Sequence, residues 1–153
     1  MHPIKSFMVP SEKFITVERD VDVQTAARTM RDRHINSLFV TNGTEIIGIL
    51  TDTDMVRRVV AAGVDTLTTT TEKIMSAPIL TIEGDKTVLD ASDLMAQMRI
   101  RHLGVTQDGK LVGMLSVRDI LVFLTNLRKK KSAGHPDTAS SAAPATTITE
   151  NRP

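Results

Sequence analysis

The sequence predicts an α/β (α+β) fold in which one β-α-β-β-α unit occurs twice with pseudo-two-fold symmetry. Two observations lead to this prediction. The segment Gly48 to Asp54 recurs 65 positions later as Gly113 to Asp119. At the same offset, and without a gap, thirteen residues of the first half meet an identical residue in the second half. An ungapped match over about forty positions indicates a tandem repeat.

The first repeat opens with a short predicted strand over residues 14–17. A helix follows, because apolar residues recur at the i, i+3, i+4, i+7 spacing of one helical face. These residues are Val23, Ala26, Ala27 and Met30. Asp22 is placed to cap this helix.

A hairpin and a second helix complete the first repeat. Strands are predicted over 38–41 and 45–50, around Asn42-Gly43-Thr44. Asn-Gly is a strong hairpin signal because both residues tolerate a positive φ. A helix is predicted after Thr51. The residues expected to face inward from it are Met55, Val56, Val59 and Val60.

The second repeat follows the same order of elements. A strand is predicted over 79–82, then a helix that the pair Thr87 and Asp90 opens, then a hairpin that turns at Asp108-Gly109. The helical stripe is Val88, Ala91, Met95 and Met98, and the apolar face of the last helix is Ile120, Leu121, Leu124 and Leu127. The basic run at 128–131 suits the negative end of a helix dipole, and a nucleic-acid or lipid contact is the alternative.

Composition limits the classes of function. The formal net charge of +1 argues against a general nucleic-acid or membrane-surface binder, since such proteins usually carry a strong basic field. The chain has no cysteine, which excludes disulfides and cysteine-bound metals. There is no signal-peptide pattern and no stretch long enough to cross a bilayer, so we expect a cytoplasmic protein.

We expect three regions along the chain: a first repeat with its N-terminal segment over 1–66, a second repeat over 67–131, and a disordered tail over 132–153. The tail is rich in Ala, Thr, Ser and Pro, and its only large aliphatic residue is Ile148. Such a segment cannot bury enough apolar surface to fold.

The repeated unit, with Gly-h-h-Thr/Ser-x-x-Asp between its last strand and last helix, resembles the cystathionine-β-synthase-type (CBS) domain pair, or Bateman module. Further matches are the segment Lys73 to Pro78 and the segment Arg101 to Val105. The resemblance extends from Ile4 to about Leu127. The family often has proline where this chain has Phe39 and Gly104.

The repeated motif has a binding interpretation and a structural one. Thr51 or Ser116 at a helix N-terminus presents a hydroxyl and free N–H groups that attract phosphate. Asp54 or Asp119, three residues on, can accept two hydrogen bonds from a ribose diol. The resemblance implies these roles too, with an adenine held between the repeats. The alternative is that both motifs are capping boxes that only start helices.

Two half-sites follow from the resemblance, and we expect the second to be preferred. The second consists of Arg101, His102, Leu103, Ser116, Arg118 and Asp119, and the first of Ile35, Ser37, Leu38, Thr51 and Asp54. Arg101 and Arg118 can add charge-assisted bonds to a phosphate, whereas Asp52 competes with a phosphate for the same donors.

We expect a non-catalytic protein. Its four histidines show no metal-ligand spacing, and no nucleophile or phosphate-loop motif occurs. One hypothesis is a sensor that binds AMP, ADP or ATP, with S-adenosylmethionine or a cyclic dinucleotide as further candidates, and signals to a separate effector protein. The other is a constitutive dimerisation and interaction module without ligand.

A homodimer is expected from apolar helix faces that a single pair of repeats cannot cover. The residues expected to meet across the two-fold axis are Met55, Val56, Val59 and Val60, together with Ile120, Leu124 and Leu127.

Overall fold

Two β-sheets, one for each repeat, organise the computed structural model, which describes residues 2–133. The strands are β1 (Val9–Pro10), β2 (Thr16–Glu18), β3 (Ser37–Asn42), β4 (Glu45–Thr51), β5 (Thr81–Glu83), β6 (His102–Gln107) and β7 (Lys110–Ser116). The first sheet has the strand order β2-β3-β4, and the second has the order β1-β7-β6-β5.

The four predicted helices occur in the predicted order, and one short helix was not predicted. They are α1 (Val23–Arg33), α2 (Asp52–Asp54), α3 (Thr71–Ile74), α4 (Val88–Met98) and α5 (Val117–Ser132). The helix that was not predicted is α3. Helix α2 continues directly into a π-helical segment, Met55–Val60. Each repeat is therefore a β-α-β-β-α unit, and the predicted α+β fold is confirmed.

The two sheets repeat each other in detail. In each, a parallel pair (β2 with β3, β5 with β6) is followed by an antiparallel hairpin. The register shifts between Val40 and Thr41 in one hairpin and between Val105 and Thr106 in the other, which are again 65 positions apart. Equal irregularities at equal positions indicate that the repeat extends to backbone geometry.

The predicted helix caps are present. The Asp22 carboxylate accepts a hydrogen bond from the N–H of Thr25 at 2.8 Å. Thr87 and Asp90 form a capping box at the start of α4. Helices α1 and α4 both end in a left-handed residue, His34 with φ 53° and Arg99 with φ 54°.

One of the two hairpin predictions needs a correction. Asp108 and Gly109 both adopt positive φ, 51° and 74°, as predicted. In the first hairpin, Asn42 is instead the last residue of β3 and pairs with Glu45. The turn is therefore Gly43-Thr44, in which only Gly43 has a positive φ, of 61°.

Four residues predicted to face inward are exposed. They are Ala27, Val56, Val60 and Met98, the last three 61%, 76% and 48% exposed. The segment after Thr51 packs only one side against the first core, through Met55 and Val59. Its opposite side faces solvent. Met98 is the last residue of α4, beyond the part of that helix that the core covers.

The two hydrophobic cores exchange segments. Ile4, near the N-terminus, is fully buried in the core of the second repeat, with Leu103 and Leu115. Ile74, in the segment that precedes the second repeat, is buried in the core of the first repeat. The packing thus crosses the division predicted at residue 66: residues 71–75 pack on the first repeat, and residues 4–8 pack on the second.

Backbone hydrogen bonds fix both exchanged segments. The N–H of Ile4 donates to the carbonyl of Lys86 at 2.9 Å, and the N–H of Thr71 donates to the carbonyl of Val21 at 2.8 Å. Ser76 and Ile49 exchange two such bonds, of 2.8 and 3.0 Å. On the second sheet, β1 pairs with β7. Each exchanged segment is therefore attached to the strand that leads into a repeated motif.

Within residues 2–133, no helix is both long and apolar enough to span a membrane. The tail predicted over 132–153 lies outside the described residues, apart from Ser132 at the end of α5 and Ala133.

The motif glycine Gly113 should be required for this packing. A Cβ at this position would lie 2.8 Å from the carbonyl oxygen of Val9, which is fixed by strand pairing. Gly113→Ala should lower the free energy of unfolding by about 1–3 kcal/mol, as overpacking does elsewhere. Urea denaturation would measure the loss. The control is Gly109→Asn, because Gly109 has open space around it. Equal stability of Gly113→Ala and wild type would contradict the packing role.

Candidate functional site

Both repeated motifs form capping boxes in the structure. In the first, the N–H and the hydroxyl of Thr51 donate to Asp54 Oδ2 at 2.9 and 3.0 Å. In the second, the N–H and the hydroxyl of Ser116 donate to Asp119 Oδ2 at 2.8 and 2.6 Å. Both motifs therefore cap a helix, and binding depends on which lone pairs of each carboxylate remain free.

Two clefts adjoin the motifs, and each is built from both repeats. We call the first cleft the cavity of about 470 Å³ beside Thr51 and Asp54. Its other wall is formed by residues of the second repeat, from Met98 to His102. The rest of its lining is Ile49, Thr53, Arg57, Arg58, Ser76, Pro78, Ile79 and Leu80.

The second cleft, of about 600 Å³, adjoins Ser116, Arg118 and Asp119. Its facing wall belongs to the first repeat and runs from His34 to Ser37. The remaining lining residues are Val9, Lys13, Phe14, Ile15, Phe39, His102, Met114 and Val122. In both clefts, therefore, the motif of one repeat faces the segment before the hairpin of the other repeat.

This crossing revises the predicted half-sites. Ile35 and Ser37 line the cleft of Ser116 and Asp119, not that of Thr51 and Asp54. His102 borders both clefts. Each predicted site combined the motif of one repeat with the residues before the hairpin of the same repeat. These two sets of residues line different cavities, because the motif of each repeat faces the other repeat.

Arg101 also lies beside the motif of the other repeat. Its guanidinium donates to Asp52 Oδ1 and to the hydroxyl of Thr53, at 3.2 Å from the latter, and the side chain lines the first cleft. The grouping of Arg101 with Ser116 and Asp119 therefore has to be revised. Asp52 competes for Arg101 rather than for a phosphate.

Leu38 and Leu103 also need a correction. Both are fully buried, Leu38 in the core of the first repeat and Leu103 in that of the second. Side chains alternate between the two faces of a strand, so the neighbours Ser37 and His102 reach the clefts while the leucines point into the cores.

The two motif carboxylates differ in free hydrogen-bonding capacity. Besides Thr51, Asp54 has Ser76 Oγ at 3.0 Å and Arg58 Nε at 3.6 Å from its Oδ1, and only 6% of the residue is exposed. A carboxylate offers about four lone-pair sites, and in Asp54 three of them accept hydrogen bonds while the fourth faces the guanidinium of Arg58. We call a carboxylate in this state saturated. The Oδ1 of Asp119 has no hydrogen-bond partner among residues 2–133. Asp119 can therefore accept a bond from a ligand in the second cleft.

Several residues that line the clefts were not predicted from the sequence. Arg57 and Arg58 lie one helical turn beyond the first motif, and Arg99 ends α4. In the second cleft, Phe14 and Phe39 stack with their ring centroids 4.0 Å apart. Phe39 occupies a position where the resembling family often has proline, and this departure was the available signal.

His102 joins the two clefts. Its Nε2 lies 3.4 Å from Asn36 Oδ1, across the boundary between the repeats. Burial lowers the pKa of His102, and the guanidinium of Arg101 lowers it further. The surrounding carboxylates Asp52, Asp119 and Asp54 act in the opposite direction, but more weakly. The imidazole is therefore neutral near pH 7, and a neutral Nε2–H can donate to Asn36.

Among residues 2–133, no group of three or more His, Cys, Asp or Glu side chains is arranged to hold a metal ion.

Comparison with known proteins identifies two copies of one domain. The family model described as the CBS domain matches residues 4–61 and 72–126. The CBS domain-containing protein YhcV of Bacillus subtilis is 33% identical over 119 residues, which cover 78% of this chain and 82% of YhcV. An uncharacterized protein of Methanopyrus kandleri is 39% identical over 97 residues, 62% of this chain. The match spans only half the length of that relative.

Solved structures agree with this fold. A protein with CBS domains from Burkholderia ambifaria superposes with a TM-score of 0.67 at 31% identity, covering 84% of this chain and 89% of the other. CBSX2, solved in complex with AMP, superposes with a TM-score of 0.66 over 84% of this chain and 99% of its own. At 18% identity, CBSX2 supports the fold alone.

The lowered pKa of His102 should make stability depend on pH. The unfolded chain binds this proton more readily than the folded one, so the free energy of unfolding falls as the pH drops below the ordinary histidine pKa of about 6.5. His102→Gln removes this contribution and should lose less stability than wild type between about pH 7 and pH 5. Urea denaturation at each pH measures the difference.

The control for that experiment is His2→Gln, because His2 lines neither cleft. It should follow the wild-type profile. If His102→Gln lost as much stability as wild type over this pH range, the burial of a neutral imidazole would be disproved.

Proposed function

Because this chain belongs to the CBS domain family and carries the domain twice, we propose that it is a non-catalytic regulatory module that binds an adenosine nucleotide. We place the nucleotide in the second cleft. The proposal takes its ligand class from the family and its site from the contacts of the described residues.

One observation carries the choice of cleft: among the described residues, none donates to Asp119 Oδ1, whereas Asp54 is saturated. A ribose recognised by its diol needs a carboxylate oxygen that can accept its hydroxyls. Asp119 lies on the wall of the second cleft, next to Ser116, and keeps its geometry through the capping box. The carboxylate is thus held in place by one oxygen and can bind with the other.

The remaining walls of the second cleft suit the rest of an adenosine nucleotide. Phe39, Ile35 and Met114 provide an apolar surface for a purine. Arg118 and Lys13 are cations on the same cleft, and helix geometry leaves the N–H of Arg118 without an intrahelical acceptor. The volume of about 600 Å³ lies in the range typical of small-molecule sites.

AMP, ADP and ATP are the proposed ligands, and S-adenosylmethionine shares their adenosine part. The structural neighbour CBSX2 was solved with AMP, so a chain of this fold can hold a nucleotide of this class. Asn36 and Ser37 come from one repeat, and Ser116 and Asp119 come from the other. A ligand that contacts both walls binds one arrangement of the repeats more tightly than others and shifts the population towards it.

The signal is proposed to pass to a separate effector protein through a homodimer. Val56 and Val60 on one helix and Leu121 and Leu124 on α5 are exposed apolar side chains. A second copy of the chain is the proposed partner for these faces. Met55, Val59 and Ile120, which the sequence suggested for the dimer face, instead pack on the cores.

The alternative function is a constitutive interaction module without ligand. It is favoured by the capping boxes, because both motifs already have a structural role. Under this alternative, the exposed apolar faces would still bind a partner, but nucleotide would have no effect on melting temperature at millimolar concentration.

Titration with AMP tests the nucleotide proposal. Asp119→Asn replaces the free acceptor oxygen with an amide of equal size and should weaken AMP binding by about 1–3 kcal/mol, the value of a hydrogen bond to a charged group. Asp54→Asn is the matched control and should reduce AMP binding less, because Asp54 is already saturated. Isothermal titration calorimetry measures both. Equal losses in the two variants would refute the choice of cleft.

The homodimer has its own test. Val60→Asp puts a charge on the proposed apolar interface, at a valine that is 76% exposed in a single chain. The variant should sediment as a monomer where wild type sediments as a dimer. Leu89→Asp, on α4, changes an apolar residue that is 67% exposed and lies outside these faces, and it should remain dimeric. Monomeric wild type at micromolar concentration would reject the dimer.

A further inference from the structure

We propose that the first cleft is a second binding site, for a polyphosphate anion that it recognises without a nucleoside. Four arginines line this cleft: Arg57, Arg58, Arg99 and Arg101. Among residues 2–133, the only carboxylate that lines it is that of Asp54, and Asp52 lies beside it in contact with Arg101. The two carboxylates offset two of the four positive charges, and the cleft keeps the other two, although the whole chain has a net charge of only +1.

This set of arginines is particular to one cleft and is not a property of the repeat. At the offset of 65, the counterparts of Arg57 and Arg58 are Val122 and Phe123. The counterparts of Arg99 and Arg101 are His34 and Asn36. The second cleft has two cations, Lys13 and Arg118, so the two equivalent cavities differ in the number and the placement of their positive charges.

Two of the four arginines already have partners. Arg58 donates to the carbonyl oxygens of Ile74 and Met75 at 3.3 and 2.7 Å, which positions it against the exchanged segment. Arg101 bonds to Asp52. Arg57 and Arg99 are exposed and form no ion pair within residues 2–133. These two guanidinium groups are available to an incoming anion.

The contacts of Asp54 argue against binding of a nucleoside in the first cleft. Its oxygens accept three hydrogen bonds from Thr51 and Ser76, and the remaining lone pair faces Arg58, so a ribose hydroxyl would have to displace one of these partners. The hydroxyl of Thr53 is a further group on this cleft that can donate to an anion. The chemistry on the walls is thus that of anion recognition by guanidinium and hydroxyl groups.

The placement of the free arginines favours an anion with several charges. Arg57 belongs to the first repeat and Arg99 to the second, so the two lie on opposite walls of a cavity of about 470 Å³. A ligand that contacts both must be extended and must present charge at each end. A chain of linked phosphate groups meets this requirement, and each guanidinium can bind phosphate oxygens through two parallel hydrogen bonds.

Inorganic triphosphate is the probe for this site, with titration calorimetry on the full chain as the measurement. Triphosphate should bind wild type, and Arg57→Gln and Arg99→Asn should each weaken it about tenfold or more, the effect of losing a charge-assisted bond. Asn is chosen at position 99 because Arg99 has φ 54°, which asparagine tolerates. Both residues are exposed, so unchanged melting temperatures without ligand would show that the variants fold.

Two controls make the result specific. Arg28→Gln removes an exposed arginine of α1 that lines neither cleft, and should leave triphosphate binding unchanged. Asp119→Asn, which should impair AMP binding in the second cleft, should also leave it unchanged. Triphosphate binding and AMP binding are therefore tested separately, because either can be observed when the other is absent.

Three results would overturn the proposal. One is the absence of triphosphate binding at millimolar concentration. Another is an equal loss of affinity in Arg28→Gln, which would show binding through general charge alone. The third is tighter binding of citrate than of triphosphate, which would assign the cleft to polycarboxylates.

Discussion

The reciprocal exchange of segments between the two hydrophobic cores is the constraint on which the rest of the structure depends. Ile4 completes the core of the second repeat, and Ile74 completes that of the first. Each core therefore contains a residue that lies before the opening strand of the other repeat, Ile4 before β2 and Ile74 before β5. Burying these aliphatic side chains stabilises the pair by roughly 1.5–3 kcal/mol each.

The exchange also explains the glycine that opens each motif. Gly48 lies against Met75 and Ser76, and Gly113 lies against Met8 and Val9, so that a Cβ at either position would meet the exchanged segment. Strands β4 and β7, which lead into the two motifs, are thereby each paired with a chain segment that packs on the same core. The resulting geometry turns each motif towards the opposite repeat, and two clefts form instead of one.

The divergence of the two copies then gives these clefts different chemistry. The same backbone arrangement recurs at an offset of 65 positions and forms two equivalent cavities. One keeps a carboxylate with a free oxygen, Asp119, among aromatic and aliphatic side chains. The other saturates its carboxylate, Asp54, and surrounds it with arginines. His102 borders both, and its contact with Asn36 joins the repeats at the centre of the module.

Local patterns allowed much of the fold to be predicted. The helix caps at Asp22 and Thr87 and the Asp108-Gly109 turn depend on residues a few positions apart, and all were predicted from sequence. Such local patterns could not predict which cleft each residue lines. Arg101 precedes the strand of its own repeat, but its guanidinium reaches Asp52 of the other. Nothing in the spacing of residues within one repeat encodes a contact between repeats.

The same limit applies to burial. The apolar spacing of Val56 and Val60 indicates a helix face, but it does not say whether a core or a second molecule covers it. Leu38 and Leu103 were assigned to the site through the family resemblance. Strand alternation places them in the cores, and this could have been applied once the strand register was known.

We propose that an adenosine ligand binds by its ribose to Asp119 in the second cleft, and a crystal structure of the protein grown with AMP would show whether it does. We expect the ribose hydroxyls within hydrogen-bond distance of Asp119 Oδ1, with the purine against Phe39 and Ile35. Electron density for the ribose at Asp54 instead, in the first cleft, would contradict it.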